Sequence, residues 1–170
     1  MNHEEKFKDA LLCLAELLCA IIEESSDKGF KEINLDLLDP AIGMLKNYKS
    51  DKMVQAFIKQ SHRMLNEFYD RMETSLIANL HVIFANPKVP KSLIQSVKNL
   101  YESKDRDNNR YISLDDRNEI WDYIDSLILY SLEHYASSDR TRLILNRDMD
   151  SNFNVEKELE RWRSKLGKSN

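Results

Sequence analysis

Glycine and proline are scarce in this chain, with three of each in 170 residues. β-Sandwiches and barrels need many Gly/Pro-rich turns, and nucleotide-binding loops need closely spaced glycines, so the composition argues against both. Hydrophobic residues nevertheless make up 42% of the chain, which is too high a share for a disordered protein. The length is sufficient to bury a core. These features predict a folded, all-α protein.

Cysteine and long apolar runs are also rare. Cys13 and Cys19 are the two cysteines, and their spacing in a helix places them too far apart for a local disulfide. No segment approaches the roughly 18 uninterrupted apolar residues of a membrane span. Glu4 and Glu5 precede the first apolar run, where a secretory signal has basic residues. We therefore expect an intracellular (cytoplasmic) protein that is not secreted and has no membrane span.

Apolar residues recur at helical spacing along most of the chain. The pattern predicts helices over residues 4–24, 39–48, 51–84, 91–101, 114–136 and 155–166. Residues 51–84 contain neither glycine nor proline, and an unbroken helix there would be about 51 Å long. We expect an irregular bundle of five to seven helices around this long central helix, although the helix could instead bend or split near Thr74 and Ser75.

The C-terminal segment has a clear apolar face. Val155, Leu159, Trp162 and Leu166 follow helical spacing, and charged residues fill the other positions. Such a helix needs a surface to pack against. We therefore predict a helical bundle domain over residues 1–150, followed by a C-terminal amphipathic helix in residues 151–170. That helix packs either on the bundle or on a partner, through self-association or binding of another protein by the 155–166 helix.

The segment from Asp105 to Asp116 lies between two predicted helices and is rich in oxygen-bearing side chains. A hard cation such as calcium binds about six to eight oxygens supplied by a short loop. Residues 97–124 resemble an EF-hand, the helix–loop–helix calcium site, within a helix–loop–helix over 91–136. The resemblance implies Ca2+ or Mg2+ as the bound ion and ligands from Asp105, Asp107, Asn109, Tyr111 (through its carbonyl), Ser113 and Asp116.

Two positions of this loop depart from the EF-hand pattern. Arg110 stands where the motif has a glycine with positive φ, and Asp116 stands where a glutamate supplies two oxygens. An alternative interpretation needs no metal. Ser113 can act as the N-cap of the following helix, with Asp116 returning a hydrogen bond to it, and the preceding Asp and Asn residues are ordinary turn formers.

Motifs that carry catalysis are missing from the sequence. There is no nucleophile elbow and no paired-histidine metalloprotease motif, and we interpret His62 and His81 as edge or core histidines.

The net charge of −4 argues against a nucleic-acid partner. The segment from about Met53 through the 105–124 region resembles uncharacterised helical proteins of large DNA viruses, which implies a viral structural or host-interaction role. We therefore expect a non-enzymatic protein-interaction or scaffolding protein, with a weak calcium- or magnesium-binding protein as the alternative and an enzyme with an unrecognised site third.

Overall fold

The computed structural model describes residues 1–84 and 89–167. Within these ranges the chain forms ten α-helices, one short 3-10 helix (Leu35–Leu37) and no β-strand, which confirms the all-α prediction. The α-helices are α1 (His3–Asp27), α2 (Leu38–Asn47), α3 (Ser50–Ser61), α4 (Leu65–Tyr69), α5 (Glu73–Ala78), α6 (Leu80–Ile83), α7 (Lys91–Glu102), α8 (Leu114–Ser137), α9 (Asp139–Leu145) and α10 (Val155–Gly167).

The two longest helices, α1 and α8, pack along each other and form the centre of the bundle. Phe7, Leu14 and Ile21 repeat every seven residues on the buried face of α1, while Ile124 and Ile128 are fully buried on α8. Helix α3 packs against both, and α10 covers a further side of α8. In the described part of the chain, no helix has the length and apolar character that are needed to cross a bilayer.

The prediction of one central helix over residues 51–84 needs correction, because this segment is divided into α3, α4, α5 and α6. Arg71 has a positive φ of 51°, which a continuous helix cannot contain. At the last break the side-chain amide of Asn79 donates to the Ser75 carbonyl at 2.8 Å. The short helices turn Phe68, Leu76 and their neighbours inwards, so the segment wraps around the core and the bundle has more helices than the expected five to seven.

His62 ends α3 and is buried, which confirms the core interpretation, whereas His81 is exposed. The Nδ1 of His62 lies 3.1 Å from the Ile58 carbonyl and 2.7 Å from that of Lys59, so it carries the proton. Its Nε2 accepts a hydrogen bond from the Asp150 amide at 3.1 Å. The ring thereby ties the connection between α9 and α10 to the end of α3.

The C-terminal helix α10 packs on its own chain, against α8. Leu159 and Trp162 are buried there, and the Trp162 ring lies edge-on to Tyr69 with centroids 5.4 Å apart. Lys165 donates to the Tyr69 carbonyl at 2.8 Å and contacts the buried Asp125 of α8 at 3.3 Å. The apolar face of the 155–166 helix is therefore occupied within the molecule, and any self-association through this helix would have to use its charged face. The last three residues of the 151–170 segment lie outside the described ranges.

Candidate functional sites: the 105–116 loop and an apolar groove

Residues 105–109 form a tight hydrogen-bonded turn. The Oδ1 of Asp105 accepts from the amides of Asp107 at 2.9 Å and Asn109 at 3.0 Å, and the Asp105 amide donates to the Asn109 carbonyl at 2.8 Å. Asn108 is the residue with positive φ, at 64°, and asparagine adopts this conformation more readily than most side chains. The positive φ that the EF-hand pattern has at position 110 thus lies two residues earlier, and Arg110 instead forms an isolated antiparallel bridge with Lys104.

The remaining predicted ligands have structural roles. The ring of Tyr111 packs edge-on against Phe30, with centroids 5.4 Å apart, and its amide donates to the Ser103 carbonyl at 3.4 Å. Ser113 is the N-cap of α8, since its Oγ accepts from the Asp116 amide at 3.2 Å. The N-cap interpretation of Ser113 is thus confirmed, but at this described cap the Asp116 side chain does not return a hydrogen bond to Ser113. A capped turn accounts for these contacts without a bound ion.

The structure brings Asp105, Asp107 and Asn109 together in one turn, with Asp107, Asn109 and Ser113 exposed. One carboxylate oxygen of Asp105 is already used by two amides. Over residues 1–84 and 89–167, no group of three or more His, Cys, Asp or Glu side chains is arranged to hold a metal ion. Calcium or magnesium binding by the predicted ligands therefore stays a hypothesis.

Arg117 holds the loop to the rest of the bundle. This buried side chain donates from Nε to the Ile112 carbonyl at 2.8 Å, from Nη2 to the Tyr101 carbonyl at 2.8 Å, and from Nη1 to the Glu73 carboxylate. Its guanidinium also stacks over the Tyr101 ring, 4.9 Å from the centroid. This structural role was not predicted from the sequence. The position of Arg117 one turn before Ile120, on the apolar face of α8, could have indicated that its side chain is buried.

An open cleft of about 690 Å³ lies beside the loop and is lined by several charged side chains. Glu73 is bound to Arg117 and lies 3.6 Å from Arg110. Arg71 is bound to two aspartates of α8, at 2.7 Å and 2.9 Å. Because these charges are paired with one another, the cleft is a joint between α5, α8 and the loop, and it offers little unpaired charge to a ligand.

A second depression is an apolar groove between α1, α2, α6 and α7, with a volume of about 60 Å³. Its lining is wholly apolar apart from one thiol, and consists of Ala15, Leu18, Cys19, Ile22, Leu38, Ala41, Ile42, Leu45, Leu80, Phe84, Val89, Leu93, Ile94 and Val97. Helix α2 contributes one wall and packs against α1 and the short 3-10 helix. Pockets for cofactors and drug-sized ligands have volumes of roughly 300–1,000 Å³, so this groove suits a single aliphatic side chain better than a cofactor.

Cys19 is the lone group in the groove with nucleophilic potential among the described residues. Burial, together with the smaller effect of the nearby carboxylates of Glu23, Asp39 and Glu16, raises the pKa of its thiol to about 11. The thiol is therefore protonated at neutral pH, and the thiolate is the reactive form. This environment does not activate the cysteine for nucleophilic catalysis.

The two regions differ in what they offer a ligand. The 105–116 loop is closed by hydrogen bonds within its own chain, whereas the groove offers apolar surface that a ligand can cover without forming hydrogen bonds. Comparisons of the chain with protein-family models, with curated proteins and with solved structures gave no significant match.

Proposed function

We propose that this chain is a non-enzymatic protein-interaction or scaffolding protein that receives part of a protein partner in its apolar groove. The observation that supports this proposal is the groove itself, which has an apolar lining that includes the half-buried Ile42 and Ile94. Apolar surface that a folded monomer leaves accessible marks surfaces that bind proteins or other apolar ligands. The protonated Cys19 thiol gives no support to chemistry in the groove.

Exposed apolar residues also occur on the elements next to the groove. Leu35 and Leu37 are exposed on the 3-10 helix that precedes Leu38 of the groove lining, whereas Met44 of α2 lines a separate depression. Hydrophobic burial contributes about 25 cal/mol per Å² of apolar surface removed from water. A partner that fills the groove and also covers Leu35 or Leu37 would gain stability without needing a buried ion pair.

The setting of the proposed interaction follows from the composition. An intracellular location is supported by two free cysteines, and a protein partner in preference to nucleic acid is supported by the net negative charge. The resemblance to helical proteins of large DNA viruses suggests a viral structural or host-interaction role as the finer form of the proposal.

The test is affinity purification of partners from the native source with matched variants. Ile42→Glu places a charge in the groove, while Leu114→Glu places the same charge on an exposed leucine at the start of α8, outside the groove. We expect a partner that the wild type and Leu114→Glu both retain and Ile42→Glu loses, with similar melting temperatures for all three. Equal retention by all three proteins would contradict the groove as the binding site.

A weak calcium- or magnesium-binding role of the 105–116 loop is the alternative proposal. It is supported by the turn that gathers Asp105, Asp107 and Asn109, two of which are exposed. An enzyme with an unrecognised site ranks third, with no cluster of described residues to support it. The cation proposal and the groove proposal concern different parts of the fold, so one experiment can fail without affecting the other.

A further inference from the structure

Helix α9 presents an apolar knob to solvent. Leu143 is 77% exposed and Ile144 is 45% exposed, although the same short helix buries Thr141 and Leu145 against the bundle. We call Leu143 and Ile144 the α9 knob. These two adjacent aliphatic side chains are available to a partner, and covering them would remove apolar surface from water.

Exposed arginines flank the knob. Residues 139–150 contain three arginines and three aspartates, and the aspartates have other partners: Asp139 is bound by Arg142, Asp148 lies 3.7 Å from Lys59, and Asp150 lies 3.0 Å from Arg63. Arg142 also donates to the Tyr135 carbonyl at 3.0 Å, so its side chain is held against the C-terminal end of α8. The other two arginines of the segment, Arg140 and Arg147, are both exposed. Arg140 lies about one helical turn before the knob, and Arg147 lies just after α9.

The α1 and α2 edge of the groove is acidic. Glu16 and Glu23 stand at helical spacing on either side of Cys19, and both are exposed. Asp39 on α2 is also exposed and lies near enough to act electrostatically on the Cys19 thiol. The opposite edge, on α7, carries Lys91 and Lys98. The acidic residues that act on Cys19 therefore lie on the α1 and α2 edge, and this is the edge that a basic partner surface would face.

We propose that the α9 knob of one copy of this chain docks into the apolar groove of a second copy. The groove volume of about 60 Å³ suits a single aliphatic side chain, and the more exposed residue of the knob, Leu143, provides one. Arg140 and Arg147 of the incoming copy face Glu16, Glu23 and Asp39 of the receiving copy. The inference rests on the groove of the proposed function and adds a specific occupant to it.

Such a contact is heterologous, because the knob and the groove are different surfaces of the same molecule. Each copy can receive one neighbour in its groove and offer its knob to another, so association proceeds head to tail into rings or open chains. The apolar contact is small and the flanking charges are exposed to solvent. The association is therefore weak, dependent on protein concentration and weakened by salt.

The test is sedimentation velocity of the full chain over a wide concentration range, with three variants. Leu143→Glu disables the knob, Ile42→Glu disables the groove, and Leu114→Glu is the exposed-leucine control. We expect the wild type and Leu114→Glu to increase in mass with concentration. We expect each of the other two variants to stay monomeric on its own. A mixture of the two should form a dimer that grows no further, because one still has its groove and the other its knob.

A second measurement covers the case in which Ile42→Glu folds poorly. Alkylation of Cys19 in the wild type should slow as protein concentration rises, while alkylation of Cys13, which is outside the groove, should not. Leu143→Glu should remove this protection.

A wild type that is monomeric at every concentration, or self-association that Leu143→Glu leaves unchanged, overturns the proposal. A mixture of monomers that forms no dimer also overturns it. Loss of a foreign partner by Ile42→Glu without any self-association would leave the proposed function standing and end this inference alone.

Discussion

The Nη1 of Arg117 donates to the carboxylate of Glu73, joining α8 to the beginning of α5 across 44 residues of sequence. Arg117 is buried, whereas the Glu73 side chain is one-third exposed. The same guanidinium satisfies the carbonyls of Ile112 and Tyr101. One side chain thus fixes the end of α7, the loop before α8 and the break before α5. It explains why the loop is ordered without requiring an ion.

Replacement of this arginine should destabilise the protein strongly. We expect Arg117→Ala to lower the free energy of unfolding by about 3 kcal/mol, because it leaves two buried carbonyls without a donor. Urea unfolding measures this change. Arg110→Ala is the matched control, since Arg110 is half exposed and 3.6 Å from the same glutamate, and it should cost less than about 1 kcal/mol. Equal effects of the two substitutions would contradict the structural role of Arg117.

The cation proposal makes a separate prediction. If the 105–116 loop binds calcium or magnesium, the ion at ten times its Kd should raise the free energy of unfolding by about 1.4 kcal/mol. Thermal melts with each ion and with EDTA detect this stabilisation. Asp107→Ala should remove it while leaving the melt in EDTA unchanged, because Asp107 is exposed and contributes its amide to the turn. An identical melting temperature with and without millimolar ion would rule the cation proposal out.

His134 should make stability depend on pH. Burial lowers the pKa of its imidazole, while Glu4 opposes this effect, and its Nε2 lies 2.9 Å from the Thr141 hydroxyl. The ordinary pKa is about 6.5, so below that pH the unfolded chain takes up the proton more readily than the folded one. The stability that His134 contributes is therefore complete above about pH 6.5 and declines as the pH falls through its folded-state pKa.

Urea unfolding between about pH 8 and pH 5 tests this expectation. His134→Gln keeps an acceptor for the Thr141 hydroxyl and removes the titration, so its free energy of unfolding should fall less on acidification than that of the wild type. His81→Gln, at an exposed position, should follow the wild-type profile. Parallel profiles for the wild type and His134→Gln would show that His134 does not contribute.

The packing of α10 on its own bundle can be measured through Trp162. This side chain is fully buried, and the Lys165 ammonium lies 4.7 Å from its ring centroid. We expect Trp162→Ala to lower the free energy of unfolding by roughly 3–5 kcal/mol, because it leaves a large cavity against α8 and α4. Arg163→Ala, on the exposed face of the same helix, should change it by less than about 1 kcal/mol. A small effect of Trp162→Ala would mean that α10 is not docked on its own chain in solution.

Particular residues show how far sequence patterns reach. The spacing of Phe7, Leu14 and Ile21 was enough to place α1 correctly, because a buried helix face repeats locally. Ser113 was identified as an N-cap because capping depends on residues three positions apart. The break at Arg71 was missed, since its side chain binds aspartates more than 50 residues away and no local signal marks the turn.

The sequence by itself determined that this protein is all-α, the approximate bounds of α1, α2, α7, α8 and α10, and that a capped polar turn precedes α8. These properties depend on residues within about one or two helical turns of each other. The tertiary structure alone decided that the 51–84 segment is divided, that Arg117 closes the loop against Glu73, and that four helices leave an apolar groove between them. These outcomes depend on contacts between side chains that are far apart in the sequence, and helical periodicity carries no information about such long-range contacts.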